Sequence, residues 1–136
     1  MRQLLWRSAA VGLILTVLAV LSGCTASDRL RQSQTIDGLA ITLETPRTPQ
    51  INSAELFAVD LRDRAGRPIE NATVYLDMDM DMLCLSGAAP VAEPVGSGRY
   101  EVQSLYQMPG TWRITVTAEV ESVAHEALFA VEVPAP

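Results

Sequence analysis

The sequence predicts an all-β fold, an immunoglobulin-like antiparallel β-sandwich of roughly six short strands. Three observations carry that expectation. Apolar residues alternate with polar ones at a period of two, turn-forming Gly, Pro and Asp fall between the alternating segments, and no stretch of the chain beyond its N-terminus holds a helical period. Successive side chains on a strand point to opposite faces, so this alternation gives each strand one buried and one solvated face.

Leu39, Ile41 and Leu43 alternate with smaller or polar residues and stop at Pro46. Phe57, Val59 and Leu61 form the next row, and Asp63-Arg64-Ala65-Gly66-Arg67-Pro68 supplies a turn. A third strand starts at Ala72 and carries Val74, Leu76 and Met78 in one phase. Pro90, Pro94, Gly96 and Gly98 predict a long loop before a strand with Tyr100 and Val102. Trp112, Ile114, Val116 and Ala118 share one face opposite Arg113, Thr115, Thr117 and Glu119. The last strand places Val123, His125, Ala127, Phe129, Val131 and Val133 in one phase, and Pro134 ends it.

The N-terminus is an address. Arg2 and Arg7 lie in a charged start, Ser8 to Leu21 is nearly all apolar, and small residues close the segment. That layout predicts a secretory signal peptide over residues 1–23, since the run is too short and wrongly flanked for a membrane-spanning helix. Leu21-Ser22-Gly23-Cys24 resembles the lipobox of bacterial lipoproteins, which implies cleavage before Cys24 and lipid on Cys24 itself. Acyl chains contribute about 0.8 kcal/mol per buried methylene, so several on one cysteine anchor a protein stably in a membrane. Thr25, rather than Asp, follows the cysteine, which in a Gram-negative envelope resembles the pattern for sorting to the outer membrane, facing the periplasm. Residues 24–35 lack an apolar period and are expected to be a lipidated end and flexible tether, leaving 36–134 for one domain.

Loss of the signal also removes two arginines, so eight Arg then stand against sixteen Asp and Glu. An acidic domain without a basic stripe is a poor nucleic-acid binder. One histidine, with no nucleophile, base and orienter at recognisable spacing, supports no hydrolytic site, and no Gly-rich phosphate loop precedes a helix. An enzyme is not expected. With Cys24 lipidated, Cys84 has no disulfide partner and is buried, metal-bound or free for an intermolecular bond.

The chemistry-bearing segment is Asp77-Met78-Asp79-Met80-Asp81-Met82, with Cys84 in the same phase as the methionines. Soft sulfur ligands at this density favour Cu(I). The methionines continue the core-facing row of Ala72, Val74 and Leu76, however, and Met is an ordinary filler of irregular cores. Core packing and metal binding therefore both remain open. Length separates them: thirteen residues from Ala72 to Cys84 are about twice the usual strand. The methionine end is expected to overhang the sandwich. Side chains two apart on a strand stand about 6.6 Å apart at the backbone, so one ion could take two of Met78, Met80 and Met82 and would need help from a neighbouring strand. Met108 and His125 are the candidates, with Met80 and Met82 expected at an accessible rim near one of them. The aspartates have the spacing that opens a calcium loop, but Met82 stands where that loop needs Gly and Ala88 where it needs Glu.

The order of these motifs also resembles a known family. A strand ending in Met-x-Met is followed by Val95-Gly96-Ser97-Gly98-Arg99-Tyr100, then by Met108-Pro109-Gly110-Thr111-Trp112, then by a final alternating strand. Upstream, Gly66-Arg67-Pro68 leads into the methionine strand. This is similar to the YtkA-like domain related to FixH, over approximately Ile36 to Val133. The resemblance implies an immunoglobulin-like sandwich in the bacterial envelope, in the company of copper handling or respiratory-oxidase assembly. Met80, Met82 and Met108 fall where that family has methionine, while Asp-Met repeats replace its usual Met-Pro-x-Met opening. Two functions follow as expectations. One is a lipid-anchored module that binds or transfers Cu(I) through Met78, Met80, Met82 and Met108, with Cys84 or His125 as weaker additions and a copper-handling or membrane protein as partner. The other is a metal-free structural or interaction module that docks through a sheet edge or the Leu83 to Gly98 loop.

Overall fold

The computed structural model describes residues 28–80 and 89–136. Eight strands follow one another: β1 (Arg29–Ile36), β2 (Leu39–Pro46), β3 (Glu55–Arg62), β4 (Ala72–Asp79), β5 (Val91–Gly96), β6 (Arg99–Ser104), β7 (Gly110–Val120) and β8 (Val123–Val133). The fold is all-β and antiparallel, as the alternation predicts, with strand order β1-β2-β3-β6-β5-β4-β7-β8. β5 joins the two halves, pairing with β6 on one side and with Val74 and Tyr75 of β4 on the other.

The predicted inward rows are buried over most of their length, with Val123 at the start of β8 56% exposed and Val102 of β6 half-buried. Leu39, Ile41 and Leu43 of β2, Phe57, Val59 and Leu61 of β3, and Trp112, Ile114, Val116 and Ala118 of β7 enter one apolar cluster with Ala127, Phe129, Val131 and Val133 of β8. Aromatic edges pack in its centre, with the Tyr106 ring 5.6 Å from Phe57 and 5.5 Å from Trp112, both edge to face. Such pairs add about 0.5–1.5 kcal/mol each beyond the area they bury. Tyr100 clasps the β3–β4 connection: its hydroxyl donates to the Ile69 carbonyl at 2.8 Å and accepts the Ala72 N–H at 3.2 Å, fixing where β4 begins.

Two sequence expectations are corrected here. The segment expected as a tether is strand β1 from Arg29 onward, paired along its length with β2 from Arg29 opposite Pro46 to Ile36 opposite Leu39. The middle of its inward row holds amides, Gln32 and Gln34, between Leu30 and Ile36. Gln32 Nε2 donates to the Ala130 carbonyl at 3.0 Å, and Gln34 Nε2 donates to that of Leu128, so polar side chains join the first strand to the last across the seam between them. The loop expected around Pro94 contains strand β5. Pro94 has no N–H for a ladder, and it sits beside the irregularity where β5 slips register against β6 between Pro94 and Gly96.

On the outer face, Glu44 of β2 receives Arg29 of β1 at 3.2 Å and Arg99 of β6 at 3.2 Å, while Asp60 of β3 takes Arg31 at 3.1 Å and Arg99 at 3.3 Å. The hydrogen bond from Arg99 is the main cause holding the Glu44 carboxyl below the usual carboxylate range, against the opposing effect of partial burial. The folded-state pKa is thus depressed below the unfolded 4.5, so the stabilisation is present above that pH and is lost as pH falls through the folded value. Glu44→Gln is expected to lower stability near neutral pH by about 1–3 kcal/mol and to flatten the acid limb of the stability curve. Urea denaturation across a pH series reads both effects.

Candidate functional site

Burial falls off along the inward row of β4. Val74 and Leu76 are fully buried, whereas Met78 and Met80 are half-buried and pack against the edge of the core. Met78 lies opposite Ile114, and Asp79 lies opposite Arg113, whose guanidinium reaches its carboxylate at 2.8 Å. Met80 follows directly and is the last described residue of this row.

The first residue of β7 makes room for it. Gly110 has φ +129°, a left-handed conformation that favours glycine, and a Cβ built there would lie 2.7 Å from Met80 Cε. The thioether methyl therefore occupies the space a side chain would fill. Met108 stands two residues upstream, within about 7 Å along the backbone, and is 37% exposed. Its carbonyl accepts the Trp112 indole N–H at 2.9 Å, which pins the β6–β7 connection to the 2% exposed Trp112 ring. Met80 thus meets the end of β7 that Met108 precedes by two residues. Met82, Cys84 and Cys24 lie outside the described residues.

His125 does not belong to this rim. It pairs with Ala118, eight residues along β7 from Gly110, which at about 3.3 Å per residue separates the two levels by about 26 Å. The expectation that His125 could complete a site with the methionines is corrected: its phase is right, but it sits at the opposite end of the sheet. There its Nδ1 is buried without a hydrogen-bond partner, 3.6 Å from the Asp37 carboxylate. Among the described residues, no three His, Cys, Asp or Glu side chains gather as a metal-holding group. The described soft donors at the rim are the thioethers of Met78, Met80 and Met108, neutral ligands that suit Cu(I) and that a proton does not contest. Sequence reasoning overlooked the part played by Gly110, although its position between Met108 and Trp112 was in view; only strand pairing shows which methionine it faces.

Residues 33–117 match the family model described as YtkA-like. Comparison with curated proteins gives no match, and comparison with solved structures gives none.

Gly110→Ala is expected to destabilise the fold by about 1–2 kcal/mol, through backbone strain and displacement of the Met80 methyl. Combining it with Met80→Ala should cost less than the sum of the two single changes, because the steric part then disappears. A double-mutant cycle measured by denaturation checks the contact.

Proposed function

The chain belongs to the YtkA-like family, and from that premise we propose that it is a lipid-anchored envelope protein that binds Cu(I), or passes it on, through its methionine rim. The observation that carries this reading is the emergence of the β4 row from the core. Val74 and Leu76 are packing residues, but Met78 and Met80 are half-buried where Met108 is exposed, so sulfur comes within reach of a ligand from outside.

Thioethers suit such a role chemically. They are soft, uncharged donors, so they hold Cu(I) without deprotonation. A site at an exposed rim also lets a second protein's ligands approach before the first set lets go, which is what transfer between partners requires. Met82 continues the row in sequence and is assigned to the same set, with Cys84 as a further soft donor. Attachment through Cys24 would hold the domain at the membrane, beside a copper-handling or membrane protein partner. The support for that anchor is the Leu21-Ser22-Gly23-Cys24 sequence after an apolar run.

Anaerobic titration with Cu(I) against a competing chelator tests the metal. Replacing Met80 and Met82 together by Leu, which conserves volume, should weaken binding by about tenfold or more, a loss of about 1.4 kcal/mol or greater. His125→Ala should leave Cu(I) affinity unchanged. Trp112 is the tryptophan nearest this rim, and the only other one, Trp6, leaves with the signal peptide, so its emission reports the binding directly. If the Leu variant binds as tightly as the natural protein, the copper reading fails and the metal-free interaction module stands. Cys24→Ala is expected to move the protein from the membrane fraction to the soluble fraction, as read by fractionation of expressing cells.

A further inference from the structure

The end of the sandwich away from the methionines holds a cavity of about 410 Å³ between the β1–β2 turn, the β3–β4 connection and the β7–β8 hairpin. Its apolar lining comes from Leu39, Ile69 and Val120, and its polar lining includes Asp37, Arg64 and His125. That volume lies in the range of small-molecule sites, which pair an apolar lining with a few placed polar groups.

Two carboxylates and two guanidiniums line it, and of these only Asp63 and Arg67 pair with each other. Asp63 is fully engaged: its Oδ1 accepts the N–H groups of Ala65 at 2.9 Å and Arg67 at 3.0 Å, and its Oδ2 takes the Arg67 guanidinium at 2.8 Å. These bonds, led by the Arg67 N–H, keep the Asp63 carboxyl below its ordinary range and order the loop that carries Arg64. Asp37 faces His125 Nδ1 at 3.6 Å. Arg64 is left, with five donors and no ion pair or hydrogen bond among the described residues. Its stem lies across Gly38, so closely that any Cβ on Gly38 would collide with Arg64 Nε, and Gly38 holds φ +87° beside Asp37 in the tight turn. The absent side chain at Gly38 is what lets the guanidinium lie over the cavity. His125, another residue of the lining, has a buried Nδ1 without a hydrogen-bond partner, and buried polar groups in proteins are seldom unpaired.

From this arrangement we propose that the cavity is a binding site for a small organic carboxylate, with Arg64 taking the carboxylate and Leu39, Ile69 and Val120 covering a short apolar body. A planar guanidinium can hold a carboxylate through two parallel hydrogen bonds, which gives direction as well as strength. An alcohol or an ammonium of the same length cannot form that two-bond pair with Arg64. The site is independent of the methionine rim and needs no metal.

Titration of nitrogen-15-labelled protein, free of metal, with hexanoate, hexan-1-ol and hexylammonium tests the proposal. Hexanoate should shift the amide signals of Gly38, Arg64, Ala65 and Val120 saturably, hexan-1-ol should bind about tenfold more weakly or worse, and hexylammonium should give no saturable shift there. Arg64→Ala should weaken hexanoate about tenfold, Arg64→Lys should recover part of that loss, and Arg47→Ala, an arginine outside the cavity, should change nothing. Retained dispersion of the remaining signals shows that each variant is folded. Equal binding of hexan-1-ol and hexanoate, undiminished binding by Arg64→Ala, shifts centred outside the cavity, or an equal loss in Arg47→Ala each overturn the proposal.

Discussion

The two ends of the molecule take their character from β7. This strand is paired with β8 from Gly110 opposite Val133 to Val120 opposite Val123, and with β4 from Asp79 opposite Arg113 to Val120 opposite Ala72. Because side-chain orientation has a period of two, a slip of one residue in either ladder would turn every inward side chain outward. Trp112, Ile114, Val116 and Ala118 are all buried, so the cost of such a slip is the loss of the whole inner row. At about 1.5–3 kcal/mol for each large apolar side chain, that cost fixes the register against any alternative. Once the register is fixed, Met80 must meet Gly110 and His125 must meet Ala118.

This constraint explains which parts of the fold were legible in the sequence. Strands β2, β3, β4, β7 and β8 bury hydrocarbon on one face and solvate the other, and alternation reports that difference directly. β1 escaped because its inward face carries Gln32 and Gln34, whose worth lies in the carbonyls of Leu128 and Ala130 across the seam. A hydrogen bond to a strand nearly a hundred residues away leaves no local periodicity to read. β5 escaped because Pro94 normally argues against a strand, and the bulge that accommodates it depends on the pairing partner rather than on the segment itself.

The candidate site divides along the same line. Phase along one strand was legible, so the continuation of the core row into Met78 and Met80 could be read from parity alone. Height across strands was not, because it depends on pairing register. His125 and the methionines share the inward phase, yet phase says nothing about which end of a sheet a residue occupies. Gly110 illustrates the converse. Its significance lies in the side chain it lacks, and that becomes visible only when Met80 is found against it.

The contrast between the two ends bears on how the molecule can serve more than one ligand. At the methionine rim the described sulfur donors are uncharged, and Arg113 pairs with Asp79. Polarizability then favours a soft ion there, and anions gain nothing from it. At the far end Asp63 and Arg67 pair in the same way, and Arg64 is left with guanidinium donors that a carboxylate can take up in two parallel hydrogen bonds. The proposed copper and carboxylate sites thus lie at opposite ends of one sheet. With about 26 Å of ladder between them and a packed core that deforms little, occupancy of one end has no contact path by which to compete with the other. Independent sites are the natural outcome of this geometry, and coupling between them would require a second arrangement of β7 that its buried row opposes.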